Sequence, residues 1–156
     1  MVRFSREMIG LPVIYINNGR ELGKAKEWLL DERGENVVAL VTEGGGWLPQ
    51  RLIFPYRAIL SVGTDAILVQ EEGLPAFGDP PELEHQHTFR VLGKRMFSAN
   101  GREVGIVDDF LFEESSGRVT GWLLSSGLID DLLKGRSVVE QALQLKIGED
   151  VLILGD

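Results

Sequence analysis

Several groups of side chains in this sequence have types and spacings that chemistry can use. His85 and His87 flank Gln86, with Glu82 and Glu84 close before them. In an extended segment, side chains at i and i+2 face the same way, so this set is the best candidate for a transition-metal site. Its segment reads as a flexible linker with no third ligand on a rigid element, so no metal is expected, and binding by His85 and His87 stays an open question. Asp108 and Asp109, with Glu113 and Glu114, offer paired carboxylates of the kind used in acid–base work. Neighbours on a strand diverge to opposite faces, and no histidine or serine motif accompanies them, so a solvated face is expected. Gly44-Gly45-Gly46 lacks the Lys-Ser/Thr and the helix start of a phosphate loop and reads as a mobile connection. The pairs Arg20-Glu21 and Arg102-Glu103 read as hairpin charges that face across strands. The expectation is a protein with no catalytic residues, no cofactor site and no metal site.

Apolar residues outside any alternating pattern are more informative. Trp47 and Leu48 follow the three glycines, and Leu128, Ile129, Leu132 and Leu133 surround Asp130-Asp131. Large apolar groups in loops mark contact surfaces when they are exposed together, and aromatic anchors favour the centres of interfaces. These six residues are the candidate partner-binding set. The competing reading is that they cap barrel ends or bury a contact between the two halves. Trp28 and Trp122 sit in strand patterns and are expected in the core.

The elements that must position these residues occur twice. Asn18-Gly19-Arg20-Glu21-Leu22-Gly23 returns as Asn100-Gly101-Arg102-Glu103-Val104-Gly105, and Gly63-x-Asp65 before an apolar run returns as Gly148-x-Asp150. Asn-Gly between alternating apolar residues signals a hairpin, with a type I′ turn expected. It joins Val13–Ile16 to a long strand from Leu22 to Leu30, and Arg95–Phe97 to one from Val104 to Phe112. On one face of these strands stand Leu22, Trp28 and Leu30, interrupted by Lys24 and Lys26, and Val104, Ile106, Phe110 and Phe112, interrupted by Asp108. The period of two means strand. Third strands follow at Asn36–Thr42 and Val119–Ser125, and closing strands at Ala66–Gln70 and Val151–Leu154. Short strands joined by turns imply an all-β protein of two tandem small antiparallel β-barrels related by internal duplication. The expected division is a first unit at 1–70, an acidic linker rich in Pro and Gly at 71–89, and a second unit at 90–156. Units this small are marginal alone, so they should pack on each other or on a second copy, and a homodimer is one form this could take.

The formal net charge of −8 opposes direct nucleic-acid binding, which depends on Lys and Arg against phosphates. Arg90, Lys94, Arg95 and Arg102 come nearest to a basic stripe and read as solvated strand-edge charges. An acidic balance suits solubility and a basic partner. Absence of cysteine excludes disulfides and thiolate sites and fits a reducing cytoplasm. No run of about 20 apolar residues is present to span a bilayer, and no secretory signal is recognisable. A cytoplasmic protein is expected.

These features resemble the PRC-barrel family, found in the photosynthetic reaction-centre H subunit and in the ribosome-maturation factor RimM. The resemblance rests on Ile9-Gly10-Leu11-Pro12-Val13, the Asn18–Gly23 turn leading to Trp28, Ile53-Phe54-Pro55-Tyr56-Arg57-Ala58-Ile59 and Gly63-x-Asp65. In the second half it rests on Val91-Leu92-Gly93-Lys94, the Asn100–Gly105 turn, Asp108-Asp109-Phe110, Gly117-Arg118-Val119 and Gly148-x-Asp150. Residues 128–144 depart from it, lacking a counterpart of Pro55. The resemblance implies a six-stranded or similar barrel in a stand-alone tandem protein of bacterial type. It further implies a non-catalytic adaptor or assembly module that binds a protein partner through its loops. The alternative it implies is an assembly factor for ribosomes or RNA processing, as RimM is.

Overall fold

Two 11-residue strands, β3 (Arg20–Leu30) and β10 (Glu103–Glu113), form the centres of two sheets. The computed structural model describes residues 1–44, 50–125, 144–155 and, as backbone, 137–140. The first sheet holds β2 (Pro12–Tyr15), β3, β4 (Val37–Glu43), β5 (Leu52–Pro55), β6 (Ile59–Val62), β7 (Ile67–Val69) and β8 (Leu74–Pro75), in the order β6-β7-β2-β3-β4-β5-β8. The second holds β9 (Arg95–Ser98), β10, β11 (Val119–Ser125), β12 (Ser137–Glu140), β13 (Leu145–Ile147) and β14 (Val151–Leu154), in the order β12-β11-β10-β9-β14-β13. The N-terminal β1 (Val2–Phe4) joins β10. Apart from β1 and β8, the two strand orders correspond one for one. Among the described residues the protein is all-β, with curled sheets and two short 3₁₀ turns at Ser5–Met8 and Tyr56–Ala58. The sheets are mixed rather than wholly antiparallel, because β2 pairs parallel with β7 and β9 with β14. Each parallel pair brings the closing strand back beside the first strand of its sheet.

Each Asn-Gly turn is a four-residue connection in which the glycine alone is left-handed, with φ +69° at Gly19 and +84° at Gly101. Asn18 keeps negative φ and instead accepts the Arg20 amide on its carboxamide oxygen at 2.9 Å. The type I′ geometry is therefore absent. A turn built around one left-handed residue suits the longer connection better.

Bulges decide which residues face the core. Register slips between Ala25 and Glu27 on β3, and between Val107 and Asp109 on β10. An extra residue reverses the alternation of the side chains beyond it. Lys24 and Lys26 consequently stay exposed while Leu22, Ala25, Trp28 and Leu30 point inward. On β10 the inward set is Val107, Phe110 and Phe112, whereas Val104 is 38% exposed, so the expected face of Val104 and Ile106 is corrected. Gly23 and Gly105 are required here: a Cβ on Gly105 would lie 2.9 Å from the Ser125 carbonyl, and Gly23 has φ +123°.

One core serves both sheets. Trp28 packs against Phe112 at 5.3 Å between ring centroids, and Phe110 against Trp122 at 5.9 Å, with all four buried in the same cluster. The sheets also exchange backbone. β1 pairs with the end of β10, and Phe89, ahead of β9, pairs with Leu30 at the end of β3. The lead-in of each sheet thus extends the long strand of the other. Beside this, the Val37 amide donates to the Gly117 carbonyl at 2.7 Å, and the Val119 amide to the Glu35 carbonyl at 2.8 Å.

Residues 71–89 are an ordered strap rather than a loose tether. They add β8 to β5 and lay Ala76 and Leu83 over Leu29, Ala39, Val41 and Ile53 on the outer face of the first sheet. An apolar outer face cannot stay wet without loss, and the strap removes it from water. Gly73 is needed for this approach, since its φ is +80° and a Cβ would lie 2.7 Å from the Phe54 ring.

Candidate functional site

The residues with chemical potential do not converge. His85 lies with Glu84 in a tight turn where both have positive φ, closed by the Leu83–Gln86 bridge. The extended geometry assumed for His85 and His87 is therefore not met. His87 is largely exposed, with Nδ1 3.5 Å from Glu82. Among the described residues, no group of three or more His, Asp or Glu is gathered closely enough to hold a metal ion.

Asp109 is a correction to the solvated-face reading. It is 4% exposed, turned inward by the bulge that follows Val107. Ser5 Oγ donates to its Oδ1 at 2.5 Å, and the amides of Phe110 and Arg6 donate at 2.8 and 3.3 Å. Arg6 Nε donates to the Asp108 carbonyl at 2.6 Å. Burial pushes the Asp109 carboxyl above its ordinary range, against the lowering by these donors. This carboxylate fastens the Ser5–Met8 turn to β10. Glu114 serves a similar end, accepting Arg3 at 3.3 Å on its side chain and the Tyr56 hydroxyl at 2.6 Å on its carbonyl. Burial pushes the Tyr56 phenol well above its usual range. Asp109, Glu114 and Glu113, which takes the N-terminal amine of Met1, are joints between elements, whereas Asp108 contributes its backbone carbonyl.

Arg90 and Lys94 also depart from the strand-edge reading. Arg90 holds Glu27 through two bonds of 2.6 and 2.7 Å and Asp79 through one of 2.6 Å. These bonds hold the guanidinium above its usual pKa and the Asp79 carboxyl below its own. Lys94 is partly buried, with Nζ donating to the Gly148 carbonyl at 3.2 Å, and burial lowers its pKa.

The strap presents the apolar surface that the sequence reading overlooked. Phe77 is 78% exposed and Leu74 50%. Both stand on a fixed backbone: Leu74 and Pro75 pair with Ile53 and Leu52, the Ala76 amide donates to the Arg51 carbonyl, and Arg51 donates to the Gly78 carbonyl at 3.1 Å. Arg90 anchors Asp79, Arg57 anchors Glu84, and Thr88 Oγ donates to the Pro81 carbonyl. A shallow hollow of about 610 Å³ beside Phe77 is lined by Pro75, Pro80, Glu82, Glu84 and His85. Glu82 and Glu84 put two carboxylates on its lining, the second in an ion pair with Arg57. Leu74 and Phe77 are legible as apolar residues in an acidic, Pro-rich stretch, but a linker composition gives no reason for them to be held in place.

The six loop residues expected to bind a partner, Trp47, Leu48, Leu128, Ile129, Leu132 and Leu133, lie outside the described residues. Trp28 and Trp122 are buried, as their strand patterns imply. Among the described residues, no helix is long and apolar enough to cross a membrane.

Residues 1–74 match the family model of the PRC-barrel domain. No curated protein matches the chain.

Proposed function

With a PRC-barrel domain over residues 1–74 as the premise, we propose that the protein is a non-catalytic adaptor that binds a protein partner through a rigid apolar and acidic surface. The reading extends to the whole chain: two barrels related by duplication, working in the cytoplasm. The observation that carries it is the strap, where Phe77 and Leu74 are held out to solvent on a backbone fixed by β8 and by Arg51, Arg57 and Arg90. A preordered aromatic anchor loses little conformational freedom on binding, and anchors of this kind dominate interface energetics. The acidic rim selects a partner segment that carries basic residues beside an apolar one.

The test is affinity capture from the native cell's lysate at low and high salt, with the wild type beside a Leu74→Ser/Phe77→Ser variant. Both side chains are exposed, so the variant should melt like the wild type and lose the partner. Equal capture by both proteins would remove the strap as the binding surface. Salt-labile capture of RNA or ribosomal particles by both proteins would replace this reading with the RimM-like one.

A further inference from the structure

We propose that the hollow at the junction of the two sheets, beside the turn at 31–36, binds a small aromatic carboxylate. The hollow measures about 650 Å³, within the range of small-molecule pockets, and is lined from both sheets. Arg33 comes from the β3–β4 turn, Arg118 from the residue just before β11 and Lys146 from β13. None of the three has a carboxylate partner among the described residues. Elsewhere Arg3, Lys24, Lys26, Arg57 and Arg90 are all paired with acids. Glu32 and Glu35 stand on the same rim, so among the described residues three cations face two carboxylates and the lining is net positive in a chain of net charge −8. An anionic ligand is the species this inversion favours. Guanidinium groups take a carboxylate in a planar two-bond fork, which suits Arg33 and Arg118.

The floor supplies the second half of the specificity. Val119 and Leu145 are buried beneath the rim, and Ile153 lies open beside them. The walls are held in place before any ligand arrives. The Ile147 amide donates to the Glu32 carbonyl at 2.9 Å, the Val119 amide to the Glu35 carbonyl at 2.8 Å, and the Gly155 amide to the Gln144 carbonyl at 2.7 Å.

The described residues on the two sides of the junction differ. At Glu114 the space is taken by Tyr56, whose ring lies against Gly117 and whose hydroxyl donates to the Glu114 carbonyl. At Glu32, the matching point of the first sheet, the carbonyl is taken by the Ile147 amide, and the hollow opens beside it. A flat ring on the apolar floor of Val119, Leu145 and Ile153, with its acid group toward Arg33 and Arg118, fits the hollow's lining.

The test is an amide NMR titration of the whole chain with benzoate, with acetate and benzyl alcohol as the head-only and ring-only controls. Saturable benzoate shifts should centre on Val119 and Lys146, with acetate and benzyl alcohol at least tenfold weaker. An Arg33→Gln/Arg118→Gln variant should lose at least tenfold in benzoate affinity, while Lys24→Gln, on the exposed side of β3, should not change it. If the double variant fails to fold, the single Arg33→Gln variant should still weaken binding severalfold. Absence of saturable shifts, shifts centred elsewhere, equal binding of benzyl alcohol, or full affinity in the arginine variants would each overturn the proposal. Loss of partner capture on the strap would leave these outcomes untouched, so the two readings fail separately.

Discussion

Asn36 and Arg118 form an antiparallel bridge across the junction of the two sheets, and they stand 82 positions apart (36 to 118), the spacing of the two Asn-Gly turns (18 to 100). Antiparallel pairing of matching residues is what a local two-fold relation produces, as in an isologous interface between subunits. The hydrogen bonds on either side obey the same relation, Val37 to Gly117 and Val119 to Glu35. The junction therefore has a local two-fold arrangement of its backbone pairing.

A shared core and exchanged strands make the two sheets one cooperative unit. Phe112→Ala should cost about 3–5 kcal/mol, a large share of a typical domain stability. Phe112 belongs to the second sheet but packs on Trp28 and Tyr56 of the first. Urea unfolding followed by tryptophan fluorescence and by far-UV circular dichroism should give one coincident transition, shifted in the variant. Two separated transitions would show that the sheets unfold independently.

Gly34 is the position where the first sheet leans hardest on the second. Its φ is +66°, and a Cβ there would lie 2.9 Å from Leu145 Cδ2 and 3.1 Å from Trp122 Cζ2. Gly34→Ala should destabilise by about 1–3 kcal/mol through backbone strain and overpacking together. Gly19→Ala, with a similar φ but open space around it, should cost less. Equal urea midpoints for the two variants would contradict the contact.

Asp109 makes stability depend on pH in the direction opposite to a salt-bridged acid. Its folded pKa is raised by burial above the ordinary 3.8, so the folded state holds the proton more tightly than the unfolded chain. The contribution is full below the unfolded value and is lost as pH rises through the raised folded value. Asp109→Asn cannot ionise. Relative to wild type, the variant should gain stability as pH is taken from 3.8 toward neutrality. Urea midpoints measured across that interval check this, and parallel curves for the two proteins would refute it.

Arg90 ties the strap to the long strand through Glu27 and Asp79. Arg90 and Asp79 are partly or largely exposed, so Arg90→Ala should cost only about 1 kcal/mol globally. Locally the effect should be larger. Hydrogen exchange and limited proteolysis should rise within 77–85 while the sheets keep their protection. Unchanged strap protection would mean that apolar contact through Ala76 and Leu83 suffices alone.

The sequence by itself determined the strands and turns, because these are local. Alternation over Leu22–Leu30 and Val104–Phe112, the Asn-Gly turns and the Gly-x-Asp entries all act between near neighbours. They placed eight of the fourteen described strands within a residue or two, leaving β1, β5, β6, β8, β12 and β13 unmarked, and they placed Trp28 and Trp122 in the core. Tertiary structure decided what depends on contacts distant in sequence. A bulge after Val107 turned Asp109 inward to meet Ser5, which lies 104 positions earlier. Burial against Leu29 and Val41 made a strap of an acidic, Pro-rich stretch that composition alone marks as a linker. The strap then held Phe77 in solvent, and the exchange of lead-in strands brought Arg33 and Arg118 to the rim of one hollow. Alternation reports which residues can share a face, but only long-range packing determines which face is covered and by what.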